Sequence, residues 1–578
     1  MKNSDSPDPD PTSRRDFIGR VALSAVAISM PSGLQGSRLN SHASDAQPQV
    51  RGFQNLLRGP DNVVAQSAAG DVQLTRDSNG RWINGGTIVA TTANGGALRV
   101  TLSSPAAAIK RVHLRWRGNI STAKLILGDA WERAYGDLEW RGWAPDRVMP
   151  WYAATNDGTV THAYGVRTGA NAFCFWQIDP QGISLWADVR SGAMGVQLGE
   201  RTLDVCDVVC RAGKAEESAF GAVHAFCKQM CSNPRLPSAP VYGSNDWYWA
   251  YGKNSADSVR TDVNHIVELS PTGSNRPFAV IDDGWQPERS KDKLGVGTWD
   301  HGNEKFGDMA ALASDIKKAG ARGGVWIRPL QATRETADTW RLPRNKNFLD
   351  PSVPEVRQKI AEDISRLRAW GYEMIKHDYT TFDLFGQWGF QMGAGMTRDG
   401  WTFATGSSRT TAEIVNELYS TIRTAAGDSL VIGCNTVSHL SAGQFEICRI
   451  GDDTSGTEWN RVRKMGVNSL AFRGVHHGAF YVADADCIGV TTAIPWSLNK
   501  QWLDVLARSG TMTFVSLAPD ALGTEQRRDL KTALALAAAP QPLGEPLDWQ
   551  HNVYPSRWKM TGAERTFDWV GADGAGMP

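Results

Sequence analysis

Charge imbalance is the first thing this chain lacks. Lys and Arg together number 61 and Asp and Glu also 61, so there is no net field to gather nucleic acid. Histidine is scarce at 11 and forms neither HxH nor HExxH, which leaves a catalytic metal with few ligands. No GxGxxG follows a candidate strand and no Walker loop occurs, so a nucleotide cofactor has no phosphate cradle. Apolar runs long enough to cross a bilayer are missing as well. The 8 cysteines include no CxxC knuckle. Cys206 and Cys210 share the strand-like run LDVCDVVC, and Cys227 and Cys231 stand one helical turn apart in HAFCKQMC, so buried thiols or a disulfide are expected rather than zinc. These absences leave a chain expected to need no metal or cofactor, and to bind neither nucleic acid nor, once processed, a membrane.

Tryptophan, by contrast, is plentiful at 23, and glycine at 58. Indole rings fill cores and also suit the faces of sugars. Near the N-terminus, Ser13-Arg14-Arg15-Asp16-Phe17-Ile18-Gly19 precedes an apolar stretch from Val21 to Met30 and then small and polar residues. Twin arginines ahead of a short apolar core are the layout of a Tat-type export signal. Residues 1–43 are therefore expected to form a leader cut near Ser41-His42-Ala43, giving a periplasmic or secreted protein.

From about 50 to 235, short runs such as ALRVTL, HLRWRG, AFCFWQID and ISLWADV alternate apolar and polar residues between turn signals, the pattern of a β-sandwich. The Pro-rich segment NPRLPSAP, Asn233 to Pro240, marks a boundary. Between 241 and about 540, compact apolar runs alternate with helix-length amphipathic segments such as DMAALASDIKKAG and PEVRQKIAEDISRLRAWG. Eight such strand candidates, from VYGSNDWYW to TMTFVSLA, predict an α/β fold, a (β/α)8 TIM barrel preceded by the sandwich. Beyond 540, VYPSRWKM and RTFDWVG return to β-like text, a short C-terminal β remnant over 541–578.

In a parallel barrel the C-terminal ends of the strands share one mouth. Strand two ends in Asp282-Asp283-Gly-Trp285, strand four in Lys376-His377-Asp378, strand six in Arg449-Ile-Gly-Asp452-Asp453, and strand seven in Asp484-Ala-Asp486. Acids from four strands are thus expected on one rim. Two facing carboxylates are what glycosidic bond cleavage requires, one to attack or activate water and one to protonate the leaving oxygen. Lys376 points to the same side as Asp378 and is expected to keep it ionised. Adjacent Asp452 and Asp453 are expected to raise each other's pKa, which suits one of them to the acid role. A strand-end Asp can equally be the N-cap of the following helix, as Asp453 before Thr454 and Ser455 could be.

The ordered set IDDGWQ, IKHD and RIGDD resembles the melibiase-type α-galactosidase clan, glycoside hydrolase families 27 and 36, and the sandwich ahead of the barrel is similar to the family 36 organisation. The motifs NDWYW, KFGDMAAL, GGVWIRP and LDPSVPEVR extend the likeness across about 240–520. The resemblance implies a retaining α-glycosidase with Asp378 as nucleophile and Asp452 as acid/base, Asp453 remaining the alternative. It further implies that Asp282, Asp283 and Lys376 hold the 3-, 4- and 6-hydroxyls and that Arg449 lies near the 2-hydroxyl. Trp247 and Trp285 would wall the sugar, and strand five, reading GCNTVSHL, would bring Cys434 and Asn435 to it. His377 stands where these families more often carry an aromatic residue, and Arg328 is a charge without an assigned partner. The expected substrates are α-galactosides or galactose-bearing glycans. Related specificities toward N-acetylgalactosamine or arabinopyranose, transglycosylation of the raffinose-synthase kind and non-catalytic carbohydrate binding remain open.

Overall fold

The computed structural model describes residues 50–287, 298–396, 400–571 and 574. The expected leader, 1–43, lies outside the described residues. The first half is two antiparallel sheets. One has six strands, including Asn62–Ser67, Ile109–Arg117, Phe173–Asp179 and Gly182–Asp188; the other has eight, including Thr87–Asn94, Ala97–Ser103, Thr161–Val166 and Thr202–Arg211. Strand alternation explains the packing. Along Ile109–Arg117, Ile109, Val112, Leu114 and Trp116 turn inward and are buried while the basic residues between them are not. The helix Ala219–Met230 follows, started by the Ser218 side chain accepting from the Gly221 N–H.

The parallel sheet comes next. Its strands are one Tyr242–Asn245, two Phe278–Ile281, three Arg322–Ile327, four Met374–His377, five Leu430–Gly433, six Ile447–Arg449 and eight Thr513–Leu517. Strand seven is split: Val482–Asp484 pairs with strand six, and Ile488–Val490 pairs with strand eight. Asp486 between the two halves has φ 77°. The Met512 N–H donates to the Ala483 carbonyl at 3.1 Å, so the one broken segment joins both edges and closes the ring. Strands two, four and eight are buried at every position, as a barrel clothed by helices demands. Those helices carry local signals. Met309–Ala319 begins where Asp308 accepts from the Ala310 and Ala311 N–H groups and ends at Gly320, whose φ of 103° suits a residue without Cβ. After the barrel, Glu545–Pro546, Arg557–Met560 and Ala563–Thr566 form a small antiparallel sheet.

All 8 cysteines are buried free thiols, which resolves the expectation in favour of thiols over a disulfide. Among the described residues no group of three or more His, Cys, Asp or Glu could hold a metal ion, and no helix is long and apolar enough to cross a membrane.

Sandwich and barrel are tied by a buried charge. Arg473 has no exposed surface and forms an ion pair with Asp129 of the sandwich at 2.8 Å. It also donates to the Glu132 carbonyl at 2.5 Å, the Ile450 carbonyl at 3.2 Å and Ser438 Oγ at 2.6 Å. Removing the cation would leave the buried Asp129 carboxyl without its partner, at a cost of about 3–5 kcal/mol. Arg473→Met should therefore lower the thermal midpoint by several degrees, whereas an unchanged midpoint would show that this pair does not hold the halves together.

Candidate active site

Strand two delivers Asp282 to the floor of the mouth. Asp282 is 4% exposed, pairs with Lys376 Nζ at 2.5 Å and accepts from Asn245 Nδ2 at 2.8 Å. Its own N–H donates to Asp246 Oδ1 at 2.8 Å. Burial and the nearby Asp282 push Asp246 up to about 7. Burial alone would discharge Lys376, but the Asp282 carboxylate reverses that and holds its pKa above the usual lysine value. Lys376 therefore takes Asp282 as its partner, not Asp378 as the sequence suggests. Asp283 lies one step further out, half-buried, with Gln286 Nε2 donating to its carboxylate.

Strand four presents Asp378, also half-buried, with both oxygens engaged. Oδ1 accepts the Tyr379 N–H at 2.7 Å and Oδ2 accepts the Trp326 indole N–H at 3.0 Å. Tyr379 has φ 64°, a conformation uncommon outside glycine. The Arg328 guanidinium lies 4.0 Å over its ring and is itself anchored to Asp383 at 2.6 and 3.0 Å. Arg328 thus braces the turn that aims Asp378. His377 points away from the mouth, edge-on to Tyr419 and Phe445. Burial pushes it down to about 3, so a neutral imidazole fills an aromatic slot.

Strand six carries Arg449, which is 2% exposed. It pairs with Asp486 at 2.6 Å and with Asp453 at 2.8 Å, and donates to Cys434 Sγ at 3.4 Å. Asp486 also accepts the Thr454 N–H at 2.7 Å and the Tyr248 hydroxyl, so the strand-seven acid serves as the seat of Arg449 instead of facing the cavity. The adjacent acids then part company. Asp452 has a side chain 8% exposed, held by Arg133 at 2.8 Å on one oxygen and by Arg461 at 3.1 Å on the other. The Asp453 side chain is 41% exposed, and its contacts to Arg449 and Arg133, the latter at 3.4 Å, both fall on Oδ1. Burial opposes its charge, but the combined field of Arg133, Arg449, Arg461 and Lys376 outweighs this and holds it well below the usual carboxylate range. The mutual elevation expected for the pair is thereby reversed in Asp453.

Arg133 comes from the sandwich, and nothing in the barrel motifs announces it. The Ala134 N–H donates to the Ile450 carbonyl and its carbonyl accepts the Asp452 N–H, both at 2.8 Å, which staples this loop to the end of strand six. Glu132 beside it is fully buried, accepting from Asn435 Nδ2 at 2.6 Å, the Gly389 N–H at 2.8 Å and the Tyr135 hydroxyl. Burial pushes Glu132 up to about 7 against the pull of Arg133.

Three of the sequence candidates lie behind the mouth, not in it. Trp285 has no exposed surface; its indole donates to the Trp326 carbonyl at 2.8 Å and packs on Trp299 and Trp370. Cys434 is 2% exposed and Asn435 has no exposed surface, its amide spent on Glu132 and its oxygen on the Phe382 N–H at 3.1 Å. Asn435 is drawn to the sandwich loop through Glu132, while the Cys434 thiol lies against Arg449. Trp247 is half-buried beside Tyr251. The residues missed by sequence reading are Arg133, Trp326, Asp246 and Arg461. Trp326 and Asp246 left a signal, since they lie in the quoted motifs GGVWIRP and NDWYW.

No protein-family model matches the chain. An alignment of 156 positions, covering 24% of the chain, is 28% identical to the bifunctional α-galactosidase/sucrose kinase AgaSK of Mediterraneibacter gnavus and spans 16% of that protein's length. Among solved structures, TtGalA, an α-galactosidase from Thermus thermophilus in complex with p-nitrophenyl α-D-galactopyranoside, aligns with a TM-score of 0.55 at 17% identity, covering 88% of this chain and 99% of that one. The GH36 α-galactosidase AgaA from Geobacillus stearothermophilus aligns with a TM-score of 0.56 at 15% identity, over 91% of this chain and 76% of that one. In fold, from sandwich to barrel, this chain resembles the GH36 α-galactosidases.

Proposed function

We propose that the protein is a retaining α-glycosidase that removes terminal α-galactosyl residues. The observation that carries this reading is the arrangement of the mouth, where half-exposed Asp378 and Asp453 flank the buried Asp282–Lys376 pair. In this mechanism Asp378 attacks the anomeric carbon as the bond to the leaving oxygen breaks, forming a glycosyl ester. The acid/base protonates that oxygen, then takes a proton from the water that attacks the ester and restores Asp378. The Trp326 and Tyr379 N–H groups orient the attacking carboxylate, and the Asp282–Lys376 pair with Asp283 supplies acceptors and a donor for sugar hydroxyls.

Asp453, instead of the expected Asp452, is the acid/base in this proposal. A proton donor must reach the scissile oxygen, and the Asp452 carboxylate is enclosed by Arg133 and Arg461 while that of Asp453 is open to the mouth. Asp453→Ala should cut kcat/KM on galactosides with poor leaving groups by about 100-fold or more. It should spare activated aryl galactosides and respond to azide. The same pattern in Asp452→Ala, with Asp453→Ala near normal, would return the role to Asp452.

The cations around Asp453 also predict its pH behaviour. Since they depress its pKa and the acid must be protonated to act, kcat/KM should fall as pH rises from the acidic side. Arg133→Gln removes one of those charges, so the falling limb should move to higher pH. A limb that stays in place or moves down would mean that Arg133 does not govern the acid.

A further inference from the structure

A cavity of about 280 Å3 lies beside the mouth, between the sandwich loop and the barrel stretch around Gly389 to Gly393. Its volume equals roughly nine waters at ~30 Å3 each, room for one pyranose ring. The cavity and the mouth share a rim. On the mouth side, the Arg133 guanidinium sits 5.4 Å over the Trp388 ring while holding Asp452 and Asp453. Two residues further along each of these two loop segments, Tyr135 and Phe390 meet with ring centroids 4.9 Å apart and line the cavity. Phe390 is 42% exposed, a large apolar ring open to solvent next to charged groups.

Charged side chains line the cavity as well, namely Asp137, Arg141 and Arg147. The Asp137 carboxylate accepts the Tyr135 N–H at 3.0 Å. Arg147 donates to the carbonyls of Ile126 at 3.1 Å and Glu139 at 3.3 Å, so its guanidinium is held in place before any ligand arrives. An exposed aromatic ring sharing one cavity with carboxylate and guanidinium groups matches a sugar ring, whose C–H face stacks while its hydroxyls reach polar partners.

We propose that this cavity is a distal leaving-group subsite, which binds a pyranose unit of an oligosaccharide beyond the sugar released. The proposal rests on the α-galactosidase reading of the neighbouring mouth. A chain running from the acids across the Trp388–Arg133 stack would reach Tyr135 and Phe390, whereas a single aryl leaving group would stop short. The subsite would therefore select galactosyl oligosaccharides over small galactosides.

The test compares p-nitrophenyl α-galactoside with the tetrasaccharide stachyose in wild type, Phe390→Ala and Phe390→Trp. Loss of one stacking ring should lower the ratio of kcat/KM for stachyose to that for the aryl substrate by about three- to tenfold in Phe390→Ala, through KM. Phe390→Trp should restore it. An unchanged ratio, or an equal fall on both substrates, would overturn the subsite. If wild type cleaves neither substrate, the α-galactosidase reading fails by itself. Calorimetric titration with stachyose then decides the cavity: binding that weakens in Phe390→Ala upholds it, and binding that is absent or unaffected overturns it.

Discussion

Every cation buried at this barrel mouth must have an anion within reach, and that requirement sets the position of nearly every candidate site residue. An unpaired charge in the protein interior costs several kcal/mol, so Lys376 fixes Asp282, Arg449 fixes Asp486 and Asp453, and Arg133 fixes Asp452. What remains half-open after this pairing is Asp378 and one face of Asp453. In the proposed mechanism the reactive groups are those the ion pairs leave available.

The sandwich takes part in this. Arg133 reaches the strand-six acids from more than three hundred residues away in the chain, on a loop stapled at Ala134 and locked beneath by the Asp129–Arg473 pair. It encloses one acid of the pair and depresses the other. Two chemically identical neighbours thus acquire different environments from a single guanidinium.

Much of the fold was legible because it obeys local rules. The barrel strands read as short apolar runs, and helices such as Met309–Ala319 announced their ends with Asp308 and Gly320. The strand-end positions of Asp282, Asp378 and Asp453 followed from the same counting. What escaped depends on contacts distant in sequence. Nothing near Asp452 predicts Arg133, and nothing near Asp486 predicts the φ of 77° that splits strand seven while seating Arg449. The family resemblance made Trp285 a sugar wall, yet its indole is drawn back to the Trp326 carbonyl and the rings of Trp299 and Trp370. Arg328 acquired its role only once Asp383 and Tyr379 were beside it.

The account turns on Asp378 attacking the sugar directly, which sets the stereochemistry of the product. Proton NMR of an aryl α-galactoside digest, recorded before mutarotation, reads that outcome. Double displacement through Asp378 predicts that α-galactose is the first anomer to accumulate. First appearance of the β anomer would mean that water attacks in a single step, and would contradict the nucleophilic role on which the account is built.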